Sequence, residues 1–587
     1  MKSNWLAQEK FKEGFGGGWG YNEIVLQLLW NLGIKSKESA GDFLNPKYEN
    51  LGDPFLFPDM KRAIERIFLS KKNDEKIFVY GDYDADGVSA SVILRTILKA
   101  YGMEPEIYIP HREKEGYGMN KEAVDYINEN GGKLIITCDC GISNAEEVSY
   151  AKEKGVDVII TDHHTLPLEM PKEAYAIIHA QIGDYPFKEL SGGGVAFKLA
   201  QGILKSAHEL AQSKLRASSE QTKEGTLRQS SGQREALEKW LLDLVAISTI
   251  GDMMPLADEN RVLVKFGLKV LNKTKRLGLQ KLIEAASLNP GKLDTYSVGF
   301  QIAPRINAAG RMDHANVAYE LLIEEDEKKA EELATKLNQN NSERQKQTEI
   351  IVKEATYQVV EKEQEKEYCL FAFKPDWPLG LLGLAAGHLS RKFNRPAVIL
   401  TESGGKIKGS ARGIDQFNLI EALQKIEDLF EAYGGHPGAA GLTLKREKLE
   451  EFEKKLLKLA KKELQDKELI SYLKVNDIAL DDVNMELAEQ IGKFEPFGME
   501  NRRPMFLSRE VEICGADTIG NGEKHLRLTV KGSGVQKYKM IGFCFEHFCA
   551  VPPKIGEKYD IVYEIGVNEW NGREELQLKI VDMEKSV

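Results

Sequence analysis

The chain has 587 residues, 42% hydrophobic and 29% charged, with a formal net charge of −11 and a pI near 5.7. That length exceeds one hydrophobic core and predicts about three or four domains, while the composition excludes a largely disordered chain and no run reaches the ~18 apolar residues of a membrane span. The acidic balance excludes a protein that coats nucleic acid through its overall field, but leaves room for a local basic channel.

Residues 1–14 mix Lys, Glu and Gln without a continuous apolar core, so no signal peptide is expected, and residues 1–70 read as an extension packed on the domain that follows. Residues 76–80 (KIFVY) predict a strand, followed over 88–100 by a helix with Val92, Leu94, Ile97 and Leu98 available for burial. The cycle recurs: 133–137 (KLIIT) precedes a helix over about 144–154, and 156–161 (VDVIIT) ends at Asp162. Apolar strands alternating with helices predict βαβ units and a parallel sheet covered on both faces. This first α/β domain is expected over 71–323, with a polar, solvated insertion or loose helix at about 206–234. Dense charge on a weak helical period predicts a long exposed connecting helix over 324–365. A second α/β domain follows over 366–465. The rest, 466–587, alternates apolar and polar residues, as in 525–530 (HLRLTV), and Asn571-Gly572 marks a hairpin, so a small β-barrel is expected.

Four polar clusters punctuate the first domain: Asp82, Asp84 and Asp86 in GDYDADG; Asp139; Asp162-His163-His164; and Gly251-Asp252 after the apolar stretch 241–250. The first imitates a calcium loop, but Ile93 stands where that loop needs a Glu and a strand precedes it. Taken alone it is more often an Asx-rich turn. Its repetition at successive predicted strand ends argues for one pocket, where unneutralised carboxylates would repel strongly. A pair of divalent cations removes that repulsion, and carboxylates with imidazole and no thiolate favour Mn2+ or Mg2+. Two such ions suit hydrolysis of a phosphate ester or anhydride. Cys138 and Cys140 flank Asp139, but a strand sends both to the face away from it, so zinc is not expected there. The six cysteines form no pair of C-x-x-C knuckles and fit a reducing cytoplasm.

GDYDADG, TCDCG, TDHH and GDMMPL resemble, in order, the four signature motifs of the DHH phosphoesterase superfamily. Further segments narrow the resemblance to its RecJ family: 53–60, 109–118, 305–311 (RINAAGR), 409–412 (GSAR), 434–441 (GGHPGAAG) and 496–498. It runs from about residue 40 to the C-terminus, outside the insertion, and departs from the family at Gly251, Met253 and Met254 and in the loop His436-Pro437-Gly438. The resemblance implies a DHH domain, a DHH-associated domain and an OB-fold barrel. It implies that Asp84, Asp86, Asp139, His163 and Asp252 ligate the metals and that Asp82 and His164 complete the catalytic set. Asp82 is then at the site edge, and His164 is either a sixth ligand or a phosphate contact.

The implied activity is 5′-to-3′ degradation of single-stranded DNA to mononucleotides in repair and recombination. A cytoplasmic monomer is expected, with single-stranded DNA as partner and a helicase and a single-strand-binding protein as further candidates. Direction requires a second anion site. Ser410 and Arg412 in a glycine-flanked loop, with the backbone of Gly434, Gly435 and His436, are expected to clasp a terminal phosphate. Arg305, Asn307 and Arg311 are expected to hold the next one, and His111 and Arg112 to join them. On the barrel, Arg502, Arg503, Phe506, Lys524 and Arg527 are candidate strand contacts. A DHH enzyme for oligoribonucleotides or cyclic dinucleotides and a non-catalytic DNA-binding relative are the alternatives, which the barrel and the filled ligand positions oppose.

Overall fold

The computed structural model describes residues 4–217, 231–470, 472–520, 522–570 and 572–586, so residues 218–230 of the polar insertion and Asn571 lie outside the described residues. Its flanks are helical: Gly192–Ala217 before it and Ser231–Trp240 after it. The chain forms two compact units, one of residues 52–254 and 267–470, the other of residues 1–51, 255–266 and 471–587.

In the first unit the strand Lys76–Gly81 lies inside a five-stranded sheet. Its neighbours on one side are Gly132–Cys138, Asp157–Thr161 and Ala176–Ile178, and on the other Glu106–Tyr108, all parallel. Ile77, Phe78, Val79 and Tyr80 are all buried, the mark of a strand covered on both faces, each worth about 1.5–3 kcal/mol of burial. The helix Ala85–Ala100 starts at once because Asp84 caps it, accepting from the backbone N–H of Asp86 and Gly87. The three expected strands and their helices are present. The fourth polar cluster differs: residues 242–251 are a buried helix, Leu242–Gly251, so Asp252 follows a helix and not a strand. A mostly apolar run of ten, broken only by Asp243, Ser248 and Thr249, suits a core helix as well as a strand, and periodicity alone does not separate them.

A 35-residue helix, Glu327–Glu361, connects to a second, five-stranded mixed sheet ordered Phe430–His436, Ala439–Leu444, Lys406–Arg412, Ala397–Ser403, Leu370–Phe373. The expected exposure of this helix is corrected: Ala330, Ala334, Leu337 and Asn341, then, two turns on, Thr348, Ile351, Ala355 and Val359, lie buried along one face. Alanines and polar residues in that stripe lowered the apolar signal while allowing close packing.

In the second unit, Phe506–Ile519, His525–Lys531, Lys537–Gly542, Arg573–Lys585 and Lys558–Trp570 pair in that order, and the first and last also pair, closing a five-stranded barrel. The extension is divided. Residues 52–70 belong with the first sheet, whereas Asn4–Ala7 pairs in parallel with Tyr472–Asp477. Val25, Leu28, Leu29 and Leu44 share a core with the barrel residues Phe506, Ile513 and Leu528. The expectation that all of 1–70 packs on the first domain is thereby corrected. Among the described residues no helix is long and apolar enough to cross a membrane.

Candidate metal centre

The C-terminal ends of three parallel strands deliver Asp82, Asp139 and Asp162, and the helix start after the first delivers Asp84 and Asp86. Asp86 is buried and held in place: Gly192 and Gly193 donate their backbone N–H to Oδ2 and Oδ1 at 2.8 and 2.7 Å, and Ser248 Oγ donates to Oδ1 at 2.6 Å, which leaves Oδ2 with a lone pair free for a cation. Glycine is required at both positions. A Cβ on Gly192 would stand 2.6 Å from Asp139 Cβ, and one on Gly193 2.4 Å from Ser248 Oγ. Gly192→Ala is therefore expected to displace Asp139 and lower kcat about 10²-fold, with an unchanged circular-dichroism spectrum. Unchanged kcat would show that the approach is slack. Ser191-Gly192-Gly193-Gly194 was missed from sequence, although three consecutive glycines opening a helix are a signal of close backbone approach.

His163 Nε2 lies 3.0 Å from Asp139 Oδ1, 3.6 Å from Asp252 Oδ2 and 3.7 Å from Asp86 Oδ2. Yet His163 Nε2, Asp139 Oδ1 and Asp82 Oδ1 are buried without a hydrogen bond to anything. Such orphaned polar atoms are costly, and three in one cluster call for a cation. Burial first, and neighbouring carboxylates second, push Asp139 and Asp82 well above the usual carboxylate range and Asp252 up to about 8. Burial holds His163 below its ordinary value, which favours the neutral imidazole a metal needs. Ligand atoms come within 4.8 Å of one another in three sets: Asp82, Asp84 and Asp139; Asp86, His163 and Asp252; Asp139, His163 and His164. Asp82, expected at the site edge, thus lies among the candidate ligands. No cysteine belongs to these sets, and Cys138 and Cys140 are buried free thiols.

Asp162, not singled out from sequence as a site residue, positions the histidines. Its Oδ1 accepts from the backbone N–H of His163 at 2.7 Å and from His164 Nδ1 at 2.8 Å, and its Oδ2 from Ile142 N–H at 2.9 Å. Burial alone would raise this carboxyl, but these partners hold it down at about 2; in return it lifts His164, against burial, to about 9. Tyr117 Oη sits 3.0 Å from His164 Nδ1 and donates to Asp139 O at 3.2 Å.

Beside the carboxylates lies a group of guanidiniums. Arg311 donates to Gly380 O at 2.8 Å, and burial together with Arg112 and Arg344 lowers it to about 9, still charged at neutral pH. Arg412 donates to Ser410 Oγ at 3.1 Å and to Ala411 O at 2.8 Å, and is lowered by burial and by Arg112 and Arg391. Arg112 stacks over the Tyr83 ring at 4.7 Å, and His111 meets His314 edge-on at 5.7 Å. His436 is lowered by burial, then by Arg412 and His164, so it faces both groups. Arg344 and Arg391, on helices separated from the motifs, escaped the sequence reading.

Several expected contacts are corrected. Ser410 and Arg412 lie on the strand Lys406–Arg412 and not in a loop, and Gly434 to His436 pair with Ala439 to Gly441 as the edge strand. Arg305 is engaged within the protein, its Nε donating to Asn338 Oδ1 at 3.0 Å and its Nη1 to Gln301 O at 2.8 Å. Asn307 accepts from Ala85 N–H at 2.7 Å, fixing the start of the aspartate-bearing helix. Phe506 is fully buried in the barrel core and has no face to stack on a base. Arg503 pairs with Glu495 and Arg527 with Asp517, while Arg502 and Lys524 are exposed.

A parallel sheet carrying carboxylates and imidazoles at its strand ends, with a second α/β domain, defines the DHH class of phosphoesterase fold. The chain matches the DHH family, N-terminal domain, over residues 76–249, the DHHA1 domain over 365–462 and the RecJ OB domain over 476–582. It is 39% identical over 565 residues to the single-stranded-DNA-specific exonuclease RecJ of Bacillus subtilis (strain 168), covering 95% of this chain and 67% of that one. It is 31% identical over 536 residues to the protein of the same name from Salmonella typhimurium, covering 89% of each. The crystal structure of RecJ in complex with Mn2+ from Thermus thermophilus superposes with a TM-score of 0.78 at 25% identity, covering 100% of this chain and 80% of that one. The chain belongs to the RecJ family.

Proposed function

We propose that this chain is a metal-dependent exonuclease that degrades single-stranded DNA from its 5′ end to mononucleotides, in repair and recombination. The observation that carries this reading is the group of three orphaned buried atoms, Asp82 Oδ1, Asp139 Oδ1 and His163 Nε2, beside a cluster of guanidiniums. The donor set, carboxylates and imidazole without thiolate, fits two Mn2+ or Mg2+ ions, held by Asp82, Asp84 and Asp139 and by Asp86, His163 and Asp252. Bound there, the ions supply an activated water and charge stabilisation at the attacking and leaving oxygens. Asp162 Oδ1 holds His164 Nδ1 at 2.8 Å and orients the ring, and we read His164 as a phosphate contact, with a sixth ligand as the alternative. Arg311, Arg112 and Arg412 hold the phosphates, with Ser410 and the backbone of Gly434 to His436 at the terminal one. Arg502 and Lys524 hold the strand on the barrel. The same reading makes the chain a cytoplasmic monomer with a helicase and a single-strand-binding protein as partners; light scattering checks the monomer.

The test uses strands labelled at the 5′ or 3′ end, with Mn2+. Labelled mononucleotide is expected first from the 5′ end, blunt duplex is expected to persist, and chelation to abolish release. Release beginning at the 3′ end, or hydrolysis that survives chelation, would overturn this reading.

A further inference from the structure

Tyr296 and Phe300 stack on each other with ring centroids 4.8 Å apart and planes at 25°, and both stay largely in water, 61% and 64% exposed. They stand one turn apart, on a short helix, Thr295–Ser297, that runs into a π-helical turn, Val298–Ile302. π-Turns are rare and concentrate at functional sites. The backbone beneath the rings is fixed. Asp294 Oδ1 accepts from Ser297 N–H at 2.8 Å and Oγ at 2.7 Å, and Val298 and Ile302 are buried.

This segment rests on the end of the helix that delivers Asp252. A Cβ on Gly299 would meet Ile250 Cγ2 at 3.4 Å, and one on Gly251 would meet Ala303 Cβ at 3.3 Å. Met253, the residue after Asp252, is held at φ 56° and is 69% exposed. The segment that carries the aromatic pair therefore packs on the helix end that leads into Asp252 and this methionine. A rigid aromatic pair held in water offers an outer π-face, and every nucleobase presents a matching face regardless of sequence.

We propose that Tyr296 and Phe300 form a stacking platform for a base of the strand whose phosphates lie at the carboxylate cluster; this rests on the single-strand reading above. Sequence-tolerant stacking suits an enzyme that must accept every base in turn.

The test measures kcat and KM for Phe300→Ala, Phe300→Leu, Phe300→Trp and Tyr296→Ala on intact 5′-phosphorylated strands. A second series of strands carries one abasic site moved stepwise from the 5′ end. Wild-type KM is expected to rise about tenfold when the abasic site reaches one position. Phe300→Ala is expected to raise KM about tenfold on the intact strand with kcat within about twofold, and to lose that positional dependence. Phe300→Trp should restore both and Phe300→Leu neither. Unchanged KM in both alanine variants, or a wild-type abasic profile in Phe300→Ala, overturns the platform while leaving the exonuclease reading standing. A wild-type protein that leaves the intact strand undigested overturns both.

Discussion

Asp139→Asn is expected to lower kcat at saturating Mn2+ by about 10³-fold or more, equivalent to ~4 kcal/mol of transition-state stabilisation, and yet to make the metal-free protein more stable. Asn is the informative replacement because Asp139 sits at φ 61°, a left-handed conformation that Asn tolerates and Ala does not. Ala would mix backbone strain with the loss of charge. The sign of the stability change follows from the carboxyl being held above its ordinary 3.8 by burial and by Asp86 and Asp84. A carboxyl raised in the folded state binds its proton more tightly there than in the unfolded chain. It therefore opposes folding increasingly as pH rises from about 4 towards the folded-state value. Removing it relieves on the order of 1–3 kcal/mol, a few degrees in Tm, in the presence of chelator at neutral pH. Mn2+ should then raise the Tm of the wild type and have little effect on the variant. Calorimetry with and without Mn2+, beside single-turnover kinetics, measures both. A variant less stable than wild type in chelator would mean that Asp139 is satisfied by something other than a cation.

Arg412→Ala is expected to impair digestion of 5′-phosphorylated strands by ~1.5–3 kcal/mol in kcat/KM, and 5′-hydroxyl strands much less. The guanidinium is buried among Arg112 and Arg391, and its hydrogen bonds go to Ser410 Oγ and Ala411 O; among the described residues no carboxylate is paired with it. A cation kept in that company is poised for an incoming anion. Gly383 makes room for it, since a Cβ there would stand 2.7 Å from Arg412 Nη2. Equal losses on the two substrates would assign Arg412 to general strand binding and remove the terminal-phosphate pocket.

The parallel sheet and its ligand-bearing edge were legible because burial on both faces writes continuous apolar runs, and because carboxylates and histidines followed those runs directly. Asp252 was legible as a site residue though its element was not: Leu242–Gly251 is buried all round, so its apolar run carries no period. The glycines at 192 and 193 were missed: they donate backbone N–H to Asp86, a role that the triple glycine hints at but that names no partner in the sequence. Arg305 and Asn307 misled for the opposite reason. Asn307 lies four residues before Arg311 and shares its face of Ala303–Met312, but its amide oxygen is taken up bracing the start of the neighbouring helix, while Arg305 stands on another face and donates to Asn338 and Gln301. Phe506 shows the same limit in a strand, where one step in register separates a stacking surface from the core.

The buried stripe of the connecting helix has a mechanical meaning. A tether would let the two α/β domains drift, and the gap between the arginines around Arg412 and the carboxylates around Asp139 would then fluctuate. Packed from Ala330 to Val359, the helix behaves as a caliper whose jaws are set by close packing. If the arginines around Arg412 stop the strand end, as proposed above, then how many nucleotides leave at each cut is a length stored in that packing.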